Sequence, residues 1–151
     1  MDVANKLREL GITLAPPQTS VASYVPVVVS GNFAFVSGQV ARKGDHVMYK
    51  GTVGGNVFPD QAAQVARECA ISALSALQAA GLLDRVVRVV KVTGYVASIP
   101  TFFDQAKVVN GASDLLLQVF GEDGKHARTS VGVSVLPLGA PVEVDFIFEI
   151  R

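Results

Sequence analysis

Cysteine is almost missing: Cys69 is the only one in 151 residues. One thiol closes no internal disulfide, which fits a reducing compartment and a fold held by its core. Tryptophan is absent, and the two histidines, His46 and His126, stand far apart. With a single cysteine they form no zinc pattern, so no metal and no other cofactor is expected. Charge is sparse at 17%, and thirteen basic residues balance thirteen acidic ones. A chain without net charge or a basic stripe gives no reason to expect nucleic acid as a partner. No apolar run is long enough to span a bilayer. Met1 to Arg8 lacks the basic-then-apolar order of a signal peptide. A soluble cytoplasmic protein without a membrane partner is expected.

What is present is apolar side chain, half of all residues. That supports a real core and argues against disorder. The length suits a single domain over 1–151, in which residues 1–20 would be an N-terminal helix and an extended linker. Val3, Leu7 and Leu10 repeat at helical spacing and Gly11 follows as a stop, which predicts a helix over 2–10. Pro16-Pro17 cannot continue it. Ser23 to Val29 and Phe33 to Val40 read as a hairpin around Ser30-Gly31-Asn32. Ser37-Gly38 inside the second strand marks a bulge or a close approach to the backbone. His46 to Tyr49 is a short third strand. The glycines of 51–55 lack the residues and spacing of a phosphate-binding loop.

Pro59-Asp60 opens a long helix, with Ala62, Val65, Ala66, Cys69, Ala70, Ala73, Leu74 and Leu77 on one face. Cys69 reads there as a core residue rather than a reactive thiol. Val86 to Ala97 is a long strand, with Val90, Val92, Gly94 and Val96 on one side and Val89, Lys91, Thr93 and Tyr95 on the other. Thr101 would cap a second helix whose buried face holds Phe102, Phe103, Ala106, Val109, Ser113, Leu116, Leu117 and Phe120. Asn110 lies off that stripe. The order predicts an α+β fold: a mixed or antiparallel sheet with two long helices on one face, plus the short N-terminal helix. The other face, carrying Ser130, Gly132, Ser134 and Glu143, would be bare and in want of a partner, most simply a second copy.

The stretch from His126 to Asp145 reads as two strands joined by a Pro/Gly turn. Arg128 opens the first strand on the same parity as small Ser130 and Gly132. Glu143 begins the second and points away from the aromatic residues that follow. A guanidinium on a strand grips a carboxylate through two parallel hydrogen bonds. A carboxylate can hold or activate a water. Together they point to a small carboxylic acid that reacts with water. If the strands form a hairpin, Arg128 opposes about Ile150, and roughly 20 Å or more of ladder separates it from Glu143 at about 3.4 Å per residue. The two would then share a site only across a subunit boundary or a large bulge.

Three blocks carry a family resemblance: Tyr24 with Asn32 to Gln39, Phe102-Phe103-Asp104 with Asn110, and Ala127 to Val131 with Leu136 to Val144. From about Tyr24 onward the chain resembles the Rid (YjgF) family of reactive-intermediate deaminases. The N-terminal helix and Pro16-Pro17 are similar to a longer-chain branch. The resemblance implies a chorismate-mutase-like fold and a homotrimer with sites between subunits. It implies hydrolysis of carboxylate-bearing enamines and imines, such as 2-aminoacrylate, to 2-keto acids and ammonia. Arg128 would grip the carboxylate and Glu143 would place the water. Tyr24, Ser37, Gly38, Asn110 and Ser130 would line the pocket. His126 replaces the proline common two residues before the arginine, and Ser130 stands where many members carry cysteine. A non-catalytic protein that binds small carboxylates or keto acids is the alternative. An endoribonuclease or translation inhibitor is a third reading, against which the neutral charge argues.

Overall fold

The computed structural model describes residues 2–17 and 22–151; residues 18–20 of the expected linker lie outside the described residues. Helix α1 runs Val3–Glu9, with the Asp2 side chain accepting a hydrogen bond from the Asn5 N–H at 3.0 Å. This caps one of the free N–H groups of the first turn. Val3 and Leu7 are buried, and α1 packs on α3 (Gln105–Phe120). Strands β1 (Val27–Ser30) and β2 (Phe33–Gln39) form the expected hairpin, although β1 starts four residues later than its composition predicts. Residues Arg42–Lys43 (β3) and His46–Val47 (β4) make a separate two-stranded ribbon, shorter than the strand expected over 46–49.

Helix α2 spans Pro59–Ala79, with Pro59 in its first turn and the Gln61 side chain accepting from the Phe58 N–H. All eight residues of its anticipated apolar face are buried. Strand β5 covers Val86–Ala97, β6 Ala127–Val133 and β7 Val142–Ile150. The five-stranded sheet has the order β1-β2-β7-β5-β6 and is antiparallel except for the β5–β6 pair. It is therefore the mixed sheet of an α+β fold, with two long helices and a short N-terminal one.

The order corrects one expectation with large consequences. β6 and β7 do not form a hairpin; β5 lies between them. Arg128 sits in register with Val92, not opposite Ile150. The loop after β6 crosses the end of β5, where Ala97 N–H donates to Pro141 O at 2.9 Å and Ser98 N–H to Val133 O at 3.0 Å. Pro137 and Gly139 lie in a short 3-10 turn within that crossing.

Two smaller corrections follow from bulges and caps. Register shifts in β5 after Val86 and after Val89 reverse its parity there, so Val89 is buried beside Val92 and Val96 while Val90 is half-buried. Such one-residue insertions turn later side chains to the other face. Helix α3 begins at Gln105 and is capped by Asp104, whose carboxylate accepts from Lys107 N–H, not by Thr101. Phe103 then falls outside the helix and is 84% exposed; Leu117 is also exposed, while Val108, Ala112 and Leu115 join the core.

Small residues set how closely the layers approach. A Cβ on Gly111 of α3 would collide with the Ala63 backbone carbonyl of α2, and one on Gly94 of β5 with the Val109 side chain. Helix propensity alone would favour alanine at 111 by about 1 kcal/mol. Overpacking against a backbone carbonyl works the other way and is the larger effect, about 1–3 kcal/mol. Gly111→Ala is therefore expected to lower the urea midpoint; a raised midpoint would contradict the close α2–α3 contact.

Candidate functional site

The residues singled out from sequence fall into two groups. The first surrounds Arg128. In the β5–β6 register Arg128 pairs with Val92, Ser130 with Gly94 and Gly132 with Val96. Val92 and Val96 are fully buried, and paired residues point to the same face. Arg128, Ser130 and Gly132 therefore stand on the helix side of the sheet; placing Ser130 and Gly132 on the bare face is corrected by this parallel register. Ser134 falls beyond the end of β6 and is exposed.

On that side α3 holds the guanidinium. Arg128 Nη1 donates to Asn110 Oδ1 at 2.7 Å and to Ser113 Oγ at 3.2 Å, and Nη2 donates to Ala106 O at 3.4 Å. These bonds occupy Nη1 and one hydrogen of Nη2. Among the described residues Nε has no acceptor, and Nη2, with two hydrogens and one long bond, has donor capacity to spare; Nε and Nη2 form an edge that matches a carboxylate bidentately. A cavity of about 260 Å³ adjoins Arg128, lined by Ser113, Leu117, Lys125, His126 and Arg128 itself. Two residues along the strand, the Ser130 hydroxyl is buried without a hydrogen-bond partner among the described residues.

The second group surrounds Glu143. β7 buries Val142, Val144, Phe146 and Phe148, so Glu143 and Asp145 stand on the opposite face, Glu143 in register with Tyr95. Between Val36 and Gln39 the β2–β7 register shifts by one residue, which places the anticipated bulge at Ser37-Gly38. Glu143 lies over it: a Cβ on residue 38 would fall 2.6 Å from Glu143 Oε2. Glycine is required there for room. Ser37 ties the preceding segment to the bulge, its hydroxyl donating to Val25 O at 2.7 Å and its N–H to Pro26 O at 2.9 Å. Tyr24, adjoining Val25, is half exposed. Burial pushes the Glu143 carboxyl above its ordinary value, and the nearby Asp145 adds to the rise. Asp145 accepts from the Tyr95 hydroxyl at 3.0 Å.

Thus Ser37, Gly38 and Glu143 gather at one place, with Tyr24 next to Val25 on the adjoining segment, and Arg128 with Asn110 at another; no described contact joins the two. Arg128 lies two strands and about three residues of ladder from Glu143, on the order of 14 Å between backbones. The sheet itself separates their side chains. Among the described residues no cluster of His, Cys, Asp and Glu could hold a metal ion. No described helix is long and apolar enough to cross a membrane. Cys69 is buried, and its thiol is pushed up to about 12 by desolvation.

The endoribonuclease L-PSP family pattern matches residues 14–150. The chain belongs to the endoribonuclease L-PSP family, also called YjgF or Rid. Like this L-PSP-family chain, Protein TCP17 of Trypanosoma cruzi is similar along its length: 45% identical over 151 residues, covering 99% of this chain and 94% of TCP17. Among solved structures, the protein Atu1372 of Agrobacterium tumefaciens, described as of unknown function, is 42% identical with a TM-score of 0.90, covering 99% of this chain and 92% of that one. The YjgF gene product of E. coli is 25% identical with a TM-score of 0.60, covering 92% and 96%. These likenesses establish the family and its fold.

Sequence reasoning missed two neighbours of Arg128 in this L-PSP-family chain. Ser113 reads as a core-face residue, and it is indeed 7% exposed, yet its hydroxyl meets the guanidinium. His126 reads as a mere departure from the family, yet its ring bonds Ser113. Spacing could have found both: Ser113 is three residues after Asn110 on one helix face, and His126 stands two before Arg128, just ahead of the strand.

The raised Glu143 carboxyl has a pH consequence. An acid whose pKa is higher in the folded chain binds more protons folded than unfolded in the window between 4.5 and its raised value. Stability falls as pH rises through that window, and the penalty persists above it. Glu143→Gln, which stays neutral, should raise the thermal midpoint relative to wild type more at pH 8 than at pH 4. Equal differences at both pH values would contradict the assignment.

Proposed function

We propose that this family member hydrolyses small carboxylate-bearing enamines and imines of the 2-aminoacrylate type to 2-keto acids and ammonia, at a site shared between copies of the chain in a homotrimer. The observation that carries the reading is the Arg128 guanidinium, pinned by α3, with its Nε unengaged among the described residues and a cavity beside the residue. Such an edge suits the carboxylate of an imino acid.

The chemistry needs a water and a movable proton. Glu143 is a suitable group, since burial makes its carboxylate readier to take a proton than an exposed one. It would accept a proton from water as the water oxygen attacks the imine carbon. It would return that proton to nitrogen, giving the carbinolamine, and would then pass the proton of the new hydroxyl to the same nitrogen, so that the C=O bond forms as the carbon–nitrogen bond breaks and ammonia leaves. Because Arg128 and Glu143 leave one chain on opposite faces of the sheet, the grip of one copy would work with the Glu143 of another. Tyr24, Ser37 and Gly38 would come with Glu143, and Asn110 and Ser130 with Arg128. The bare sheet face supports an oligomer: Phe33 and Phe35 remain more than 40% exposed there, and a homo-oligomer would cover them.

The test is release of keto acid and ammonia from freshly generated 2-iminopropanoate. Wild type should exceed the spontaneous rate. Arg128→Ala should lose about 100-fold in kcat/KM, the equivalent of roughly 2.7 kcal/mol for a charged bidentate pair. Arg128→Lys should recover little, since an ammonium offers no fork. Saturable binding of 2-oxobutanoate without turnover would replace the deaminase reading with a carboxylate-binding protein.

A further inference from the structure

His126 and Ser113 form a chain of hydrogen bonds that ends on Arg128. His126 Nδ1 lies 2.6 Å from the Gly124 carbonyl oxygen. A carbonyl only accepts, so Nδ1 carries the hydrogen. In the neutral ring Nε2 is then an acceptor. It lies 2.9 Å from Ser113 Oγ, so the serine hydroxyl donates to it. That leaves the Ser113 oxygen with lone pairs facing Arg128 Nη1, 3.2 Å away, which can only donate. Every donor in the chain has one acceptor and the direction is set from the backbone outward: Nδ1–H to Gly124 O, Ser113 O–H to Nε2, Nη1–H to Ser113 Oγ.

We infer that His126, acting through Ser113, is a positioning residue that fixes the rotation of the Arg128 guanidinium and so aims its Nε/Nη2 edge into the adjoining cavity. Without Ser113, Asn110 holds Nη1 at one point and the Nη2 bond to Ala106 O, at 3.4 Å, is long and weak, so the planar group can still turn. The second bond on Nη1, to a hydroxyl that cannot itself rotate away from His126, removes that freedom. Ser113 is buried between the helix and the strand, so its hydroxyl has a fixed place beside the guanidinium. A guanidinium held in its binding orientation loses less freedom when a carboxylate arrives.

The inference rests on Arg128 as the carboxylate grip, and two readouts separate its failure from failure of that reading. The first is the pair of Arg128 Nη resonances of the ligand-free protein, separate while rotation about Nε–Cζ is slow and merged when it is fast. The second is the Kd of 2-oxobutanoate. His126→Asn keeps a donor near Gly124 but is too short to reach Ser113. His126→Gln places an acceptor where Nε2 stood. Rotation should quicken in His126→Asn and in Ser113→Ala, stay slow in His126→Gln, and be no faster in the Ser113→Ala/His126→Asn double variant than in either single one. The Kd should rise on the order of tenfold in both single variants, no further in the double, and stay within about twofold of wild type in His126→Gln. A merely structural histidine would not give rescue by glutamine alone, nor non-additivity with Ser113. Unchanged rotation in His126→Asn, or loss in His126→Gln equal to that in His126→Asn, overturns the inference. If wild type fails to bind 2-oxobutanoate, the carboxylate reading falls, and the resonances still decide the relay.

Discussion

A side chain cannot pass through a hydrogen-bonded sheet, and that constraint governs the chemistry open to one copy of this chain. Arg128 leaves β6 on the helix side, where α3 receives it. Glu143 leaves β7 on the other side, over the bulge at Gly38. Strand β5 fills the space between them. The guanidinium is held in place by Asn110, Ser113 and Ala106, and the carboxylate has its room because residue 38 carries no side chain. Two well-built halves that cannot meet are what a site at a subunit boundary requires, and the exposed aromatic residues of the bare face offer a surface for that boundary.

The same packing that builds the core also tunes the halves. Gly94 lets Val109 press against β5, and Gly111 lets α3 settle on the α2 backbone. These close approaches bring α3 down onto the sheet, so that Asn110, Ser113 and the Ala106 carbonyl reach the guanidinium. A wider spacing would leave Arg128 turning in solvent. Burial of Glu143 raises its carboxyl, with Asp145 adding to the rise, and so disfavours the charged form.

Much of this was legible in the residues, because helical and strand periodicity report burial directly. The eight residues expected on the apolar face of α2 are all buried, with Ser75 and Ala76 joining them, and the bulge at Ser37-Gly38 follows from a glycine in an apolar strand. Arg128 and Glu143 stood out by residue type and by family resemblance. Strand order was not legible. Pro137 and Gly139 have the chemistry of a hairpin turn, but here they belong to a crossing over the end of β5, and pairing across the sheet leaves no local mark. Parity alone could not place Val89 or Ser130, since two bulges in β5 and a parallel partner for β6 decide their faces. Ser113 looked like core because it is core; its hydroxyl acts from within it.

The central claim is that the grip of one copy works with the Glu143 of another, and complementation addresses it most directly. Arg128→Ala and Glu143→Ala chains, each inactive alone, would be unfolded, mixed and refolded together, and hydrolysis of 2-iminopropanoate measured. Shared sites predict recovered activity, because some boundaries in the mixed oligomer pair an intact Arg128 with an intact Glu143. A mixture that co-assembles and stays as inactive as its parts would contradict a site shared between copies.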